Sequence, residues 1–276
     1  MKSNEFEVYA KILYEKSGLV IKSEKSYLLE SRLIPVAKTF GLESLTQLSE
    51  ELSRPAANQD IITAVVEAMT TNETSFFRDQ RPFERLAEYV LPRLMEKRPM
   101  KRLRLWCAAA STGQEPYTIS IVLRENEAKF PGLNCEIMAT DISKDVLQTA
   151  EEGIYSQFEV QRGLPIQLLI KYFEQNGEKW HLKPDIKQMV KFKYFNLLED
   201  MKGLGNFDII FCRNVLIYFD QETKADVLNR MYALMPNDGF LFLGGAETVL
   251  GITDKFKPVK GERGLYVPHD TVYDIV

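Results

Sequence analysis

The stretch Arg102 to Tyr117, RLRLWCAAASTGQEPY, decides the fold. Leu103 to Ala108 is a short apolar run that reads as a buried strand, and it enters a turn of small residues that opens a helix. In a doubly wound sheet, the crevice at such a strand-to-helix turn is where a nucleotide-like ligand lies. No dinucleotide GxGxxG is present. Gly113 is the one glycine of the turn, with Ala108, Ala109, Ala110 and Ser111 beside it, which permits close approach of backbone and ligand without forming a pyrophosphate cradle. Glu115 offers a carboxylate to the amino group or ribose of a ligand, or serves the first helical turn, where the macrodipole favours an acid.

Downstream, apolar runs alternate with helical patterns: CEIMAT then DVLQTAEEG, MVKFKYF, FDIIFC then ETKADVLNRMYALM, and FLFLGG. This alternation predicts an α/β fold, a parallel sheet with helices on both faces. The end, FKPVKGERGLYVP, gives two short runs around Lys260 to Gly264, a hairpin that adds an antiparallel edge. Asp141 ends the second strand, where Rossmann-like sheets place an acid for ribose hydroxyls; an aspartate there also suits the cap of the following helix. Arg213 and Asn214 end the fourth strand at the same carboxyl edge, and so face the crevice. The block Tyr172 to Gln188 interrupts the pattern. Asn176-Gly177 and Pro184-Asp185 mark turns and predict a small antiparallel β insertion at about 172–188, a plain long loop being the alternative.

Upstream, as far as Met69, apolar residues recur at helical spacing with breaks at Gly18, Gly41 and Pro55, which predicts a small all-helical domain over 1–70 ahead of the sheet domain over 71–276. At their junction TTNETSFFR, Thr70 to Arg78, sets Asn72, Thr74 and Arg78 within two helical turns as a cluster able to grip a carboxylate, with Phe76 and Phe77 as core anchors. Pro92 to Arg104, PRLMEKRPMKRLR, reads as a solvated connector.

The 276 residues, 45% hydrophobic, suffice for a full core, and a net charge of −4 argues against binding nucleic acid by charge alone. Cys107, Cys135 and Cys212 lie in apolar runs and read as core thiols, fitting a reducing compartment. The N-terminus lacks an apolar signal core and no apolar run approaches the ~20 residues of a membrane span, so a cytoplasmic location is expected.

TTNETSFFR, RLRLWCAAASTGQEPY, ATDIS at Ala139 to Ser143, FNLL at Phe195 to Leu198 and CRNVLIYF at Cys212 to Phe219, in this order, resemble the CheR family of chemotaxis protein-glutamate methyltransferases from roughly Phe6 to Val267. The resemblance implies a class I methyltransferase sheet with a β-subdomain at the insertion. It implies S-adenosylmethionine as cofactor, S-adenosylhomocysteine as product and, as substrate, glutamates on the cytoplasmic helices of chemoreceptors. It places Asn196 and Leu197 over the adenine, gives cofactor contacts to Asn72, Thr74, Arg78, Ala109, Glu115, Asp141, Arg213 and Asn214, and sets Tyr218 near the reacting methyl. A monomer without metal is expected. A carboxylate with a pKa near ~4.3 is already ionised at neutral pH, so its methylation needs no strong base; His181 and His269 accordingly read as surface residues. Arg78 and Tyr218 are the catalytic candidates, Arg78 gripping either the substrate glutamate or the methionine end of the cofactor.

Two alternatives stand beside this reading. A nucleic-acid base methyltransferase shares the sheet, but this chain has Asn214-Val215-Leu216-Ile217 where amino-methylating DNA enzymes carry Asn or Asp followed by Pro-Pro and an aromatic. The other is a non-catalytic S-adenosylmethionine-binding module, against which Arg78 and Tyr218 speak. The second helix keeps Arg32 and Lys38 but has Pro35 and Val36 between them, which alters the basic docking face of enteric members. The insertion is shorter than in members that bind a receptor C-terminal pentapeptide, so a pentapeptide-independent enzyme is expected.

Overall fold

Residues 2–98 and 101–275 are described by a computed structural model in which the chain divides into two units. One holds the chain up to Thr71 together with Tyr218–Thr223; the other holds Asn72–Ile217 and the chain from Lys224 on.

The helical unit is built from Ser3–Ser17, Ser26–Thr39, Leu45–Leu52 and Gln59–Met69. Tyr9, Leu13, Leu29, Leu33, Leu48 and Val65 supply its fully buried interior. Caps set the helix ends. The Ser44 hydroxyl accepts the Gln47 N–H, Asn58 accepts that of Asp60, and Gly18 takes the left-handed conformation after the first helix. Pro35 lies exposed inside the second helix. Arg32 differs from its sequence reading: its Nη1 donates to the carbonyls of Met69 (3.1 Å) and Thr70 (3.0 Å), so this guanidinium caps the end of helix Gln59–Met69. Lys38 stays exposed.

The second unit carries strands β1 (Arg102–Ala108), β2 (Asn134–Asp141), β3 (Ile154–Ser156), β4 (Phe173–Asn176), β5 (Lys179–Leu182), β6 (Val190–Tyr194), β7 (Ile209–Cys212), β8 (Phe240–Leu243), β9 (Phe256–Pro258) and β10 (Leu265–Pro268). The main sheet runs β6-β2-β1-β7-β8-β10-β9, parallel through β8, with β10 antiparallel to both β8 and β9. β7 and β8 are buried at every position because helices cover the sheet. Phe211 and Phe242 stack at 4.2 Å inside it, and each buried phenylalanine contributes about 1.5–3 kcal/mol. Trp106 is also fully buried, and its indole N–H donates to Thr140 Oγ1 at 2.9 Å, which pins β1 to β2.

Three local readings are corrected. Thr71 to Ser75 carries neither helix nor strand and is followed by a turn, so Asn72, Thr74 and Arg78 do not share a helix. The basic run after Val90 is no solvated connector: helix Leu91–Lys97 continues through it on buried Leu91 and Leu94, and Arg98 pairs with Asp208 and Asp238. Pro99 and Met100, in that run, lie outside the described residues. The small antiparallel sheet, order β3-β5-β4, starts earlier than the insertion expected at 172–188 because it recruits β3. Three residues, Ile-Tyr-Ser, are too short to show an alternating pattern. Its hairpin pairs Asn176 with Lys179, so the turn centres on Gly177-Glu178, with positive φ at Gly177 alone, as a type II′ turn requires.

Candidate functional site

The order of the sheet reverses at β1, which lies between β2 and β7, so the crevice opens at the carboxyl ends of these strands. Leaving β1, the chain turns through Ala109 (φ 62°), Ser111 (φ 51°) and Gly113 (φ 92°) into helix Gln114–Glu125. At Gly113 a Cβ would stand 2.9 Å from that of Ala150, so glycine is required there. The turn is tied to its neighbours: Ala110 N–H donates to Thr140 O at 2.9 Å and the Ser111 hydroxyl to Asn72 O at 2.8 Å. Asp141 accepts the Ser111 N–H at 2.8 Å through Oδ2 and the Ser143 N–H at 3.0 Å through Oδ1. It thus holds the β1 turn while supporting the start of helix Lys144–Glu152, whose N-cap is Ser143. A carboxylate has about four acceptor sites, so lone pairs remain for a ligand. Burial pushes the Asp141 carboxyl up, against the pull of the backbone donors.

Across the crevice Arg213 leaves the end of β7 with its side chain 1% exposed. Its Nη1 donates to Glu115 Oε2 at 2.7 Å; its Nη2 donates to Asp79 Oδ2 at 2.6 Å and to Arg78 O at 3.0 Å. One guanidinium therefore joins the first turn of helix Gln114–Glu125 to the turn following the Thr70–Arg78 segment. Burial pushes the Glu115 carboxyl up, with Arg213 the main opposing influence and Arg78 a lesser one. Arg78 is half-buried, and its Nη1 donates back to Glu73 O at 2.7 Å. Thr74 and Asn72 are half-buried on the same stretch.

Asn196 follows β6, where Phe195 N–H donates to Asp141 O at 2.9 Å; its Oδ1 accepts from Leu198 N–H at 3.0 Å, and Leu197 is buried beside it. Asn214 sits after Arg213 with φ 61°. Its N–H, with those of Val215, Ile217 and Gly244, points at the carboxylate of Glu247. Tyr218 groups with the helical unit, half-buried, where its carbonyl accepts from Val20 N–H at 3.0 Å. His181 lies on β5, and His269 stands exposed beside Asp270.

Among the described residues seven non-glycine positions have φ between 45° and 64°: Phe77, Asp79, Gln80, Lys101, Ala109, Ser111 and Asn214. All but Lys101 lie in the three loops just described. Left-handed backbone costs such residues about 1–3 kcal/mol each and persists where the surroundings over-determine it, so its concentration here singles these loops out as the candidate site.

Asp79, Glu247 and Gly163 escaped the sequence reading. Asp79 looks like an ordinary turn acid, and Glu247 lies thirty-odd positions from the loop it organises. Gly163 has φ 93°, and a Cβ on it would stand 2.1 Å from Phe76 O; it lets the Thr70–Arg78 segment lie against the chain before helix Ile166–Tyr172.

The donor set fits a ligand with an amino-acid end, a ribose and an adenine. Asp141 and Glu115 are acceptors for hydroxyl and ammonium groups, Arg78 is a donor for a carboxylate, and Asn196 with Leu197 offers an amide beside an apolar surface. The comparisons with known proteins agree. Residues 72–265 match the CheR methyltransferase, SAM binding domain, and residues 4–70 match the CheR methyltransferase, all-alpha domain. The chain is 41% identical over 269 residues to "Chemotaxis protein methyltransferase 1" of Vibrio cholerae serotype O1, covering 96% of each chain. It is 39% identical to "Chemotaxis protein methyltransferase Cher2" of Pseudomonas putida over 95% of this chain and 96% of that one, and 39% identical to "Chemotaxis protein methyltransferase 1" of Pseudomonas aeruginosa over the same shares. Crevice chemistry, sheet order and these matches give one conclusion: the chain belongs to the CheR family and is an S-adenosylmethionine-dependent methyltransferase.

Proposed function

We propose that the protein methylates glutamate side chains on the cytoplasmic helices of chemoreceptors, giving glutamate methyl esters and S-adenosylhomocysteine, and so serves chemosensory adaptation. The observation that carries this reading is the extent of the likeness. Relatives named chemotaxis protein methyltransferases align through the all-α region as well as the cofactor-binding region, so the substrate class travels with the likeness along with the reaction. No helix among the described residues is long and apolar enough to cross a membrane.

Bound S-adenosylmethionine supplies an electrophilic methyl group on a sulfonium sulfur. Asp141 is assigned to the ribose, Asn196 and Leu197 to the adenine, and Glu115 with Asn72, Thr74, Ala109, Arg213 and Asn214 to the remaining cofactor contacts. The attacking carboxylate is ionised at neutral pH, so no residue has to remove a proton and rate comes from placement and exclusion of water. Arg78 is assigned to carboxylate placement through paired N–H donors, and Tyr218 to the substrate glutamate through its hydroxyl. The enzyme acts as a monomer and recognises the receptor body directly, without a C-terminal pentapeptide tether.

The test is methyl transfer from labelled S-adenosylmethionine to a receptor cytoplasmic fragment. The expected label is released by alkali as methanol, disappears when glutamine replaces the acceptor glutamates, and is transferred equally fast to a fragment lacking its last five residues. Protein that binds S-adenosylhomocysteine yet leaves no alkali-labile label would refute the substrate. A large loss with the truncated fragment, or low-micromolar binding of the free pentapeptide, would refute only the direct mode of recognition.

A further inference from the structure

We infer that Glu247 is a positioning residue of the cofactor site, acting through Asn214. Glu247 lies in the loop after β8 and is 9% exposed. Its Oε2 accepts the N–H of Gly244 at 2.6 Å and of Asn214 at 2.8 Å; its Oε1 accepts those of Val215 at 3.0 Å and Ile217 at 3.3 Å. Two loops from neighbouring parallel strands are thereby fastened to one carboxylate, and four backbone donors find their partner in a single side chain. Its own N–H donates to Gly244 O at 2.9 Å, closing the turn from which it reaches across.

The arrangement demands both the glycine and the acid. A Cβ on Gly244 would stand 2.7 Å from Glu247 Oε2 and 2.9 Å from Asn214 Nδ2, so only glycine lets the three groups converge. All four partners are donors, and a carboxylate is the side chain that accepts at both ends. Glutamine, of the same shape, would turn an NH2 toward one pair of N–H groups and lose that pair. What the carboxylate holds is the left-handed backbone of Asn214, at φ 61°, which fixes the direction of the Asn214 amide. A loop needing only stability would be served by ordinary φ values; tying a strained residue with charge-assisted bonds gives it one orientation.

The inference rests on the reading of Asn214 as a cofactor contact, and a double-mutant cycle separates the two. S-adenosylhomocysteine affinity is measured by calorimetry for wild type, Asn214→Ala, Glu247→Gln and the double variant, each well below its own melting temperature. The expectation is a loss of about tenfold for either single variant and little more for the double, because both remove one contact. A Glu247 that served only the fold would lower the melting temperature and leave the affinity of the folded protein intact. Wild-type affinity in Glu247→Gln, or losses that multiply to about a hundredfold in the double variant, would overturn the inference. A silent Asn214→Ala would instead remove the Asn214 contact, and the inference with it. Should Glu247→Gln fail to fold, Gly244→Ala displaces the same carboxylate and is read in the same cycle with Asn214→Ala.

Discussion

Replacing Arg213 by methionine keeps the bulk of the side chain and removes the charge that joins two site loops. The two ion pairs it breaks differ in weight. Asp79 is 54% exposed, so that arm is worth at most about 1 kcal/mol. Glu115 is 13% exposed and Arg213 only 1%, and stranding one member of a buried pair costs about 3–5 kcal/mol. The variant should therefore lose about 3–5 kcal/mol at neutral pH, nearly all of it through Glu115. The loss should depend on pH. Burial already raises the Glu115 carboxyl above its ordinary range, and without Arg213 it rises further. A group whose folded pKa is raised keeps its proton in the folded state while the unfolded state has lost it. Stability then falls as pH climbs through that interval and is least affected below it. Urea denaturation followed by the fluorescence of buried Trp106 reports on this unit directly. A loss larger at about pH 8 than at about pH 5 is expected, with most of it restored in Arg213→Met/Glu115→Gln, which leaves no uncompensated charge. A loss under about 1 kcal/mol at the higher pH, or no recovery in the double variant, would refute the assignment.

Asp141→Ala should weaken S-adenosylhomocysteine binding by about 1.5–3 kcal/mol, roughly tenfold to a hundredfold by calorimetry; unchanged affinity would leave Asp141 as a loop tie alone. Gly163→Ala meets a carbonyl oxygen at 2.1 Å in left-handed backbone and should cost about 2–3 kcal/mol, so a melting temperature near wild type would contradict the close approach. The affinity for S-adenosylhomocysteine should fall with acidification, with an onset above the ordinary carboxylate range of about 4, because burial raises both Asp141 and Glu115 and ligand donors favour their charged forms. Affinity flat from about pH 8 to about pH 4 would speak against both carboxylates as ligand acceptors. Arg78→Ala and Tyr218→Phe should lower methyl transfer more than cofactor affinity, Tyr218→Phe with full turnover removing any role for the hydroxyl.

The parts of the site legible in the sequence are those carried by regular elements. Cys107-Ala108, Thr140-Asp141 and Phe211-Cys212 end strands whose apolar runs are plain to read, so the crevice and the placement of Asp141, Arg213 and Asn214 at the strand ends were legible from position alone. What the sequence hides is made by loops. Thr70 to Arg78 has helix-compatible residues, yet it forms no helix because its backbone is used elsewhere: Asn72 O accepts from Ser111 and Phe77 N–H donates to Thr118 Oγ1. Arg32 looked like a docking charge because sequence shows charges and not the carbonyls of Met69 and Thr70 that claim this one. The basic run after Val90 looked solvated because two buried leucines, Leu91 and Leu94, are outnumbered by its charges.

The same comparison says where the site gets its rigidity. A parallel sheet fixes the strand ends, but Ala109 and Asn214, both assigned to ligand, stand one and two residues beyond β1 and β7 on left-handed backbone that is strained in isolation. Each such stretch is secured by a charged side chain from another loop. Asp141 holds Ser111, Glu247 holds Asn214, and Arg213 holds the Arg78 carbonyl and Asp79. Because these ties are charge-assisted and largely buried, each resists displacement more than a neutral hydrogen bond would. They also link the loops in series, from the β2 end through the β1 turn and Glu115 to Arg213, and through Asn214 to Glu247. A perturbation at one tie should therefore be felt at ligand contacts it does not touch, and losses at linked positions should fail to add, whereas losses in the helical unit's caps at Ser44 or Asn58 should leave cofactor affinity unchanged.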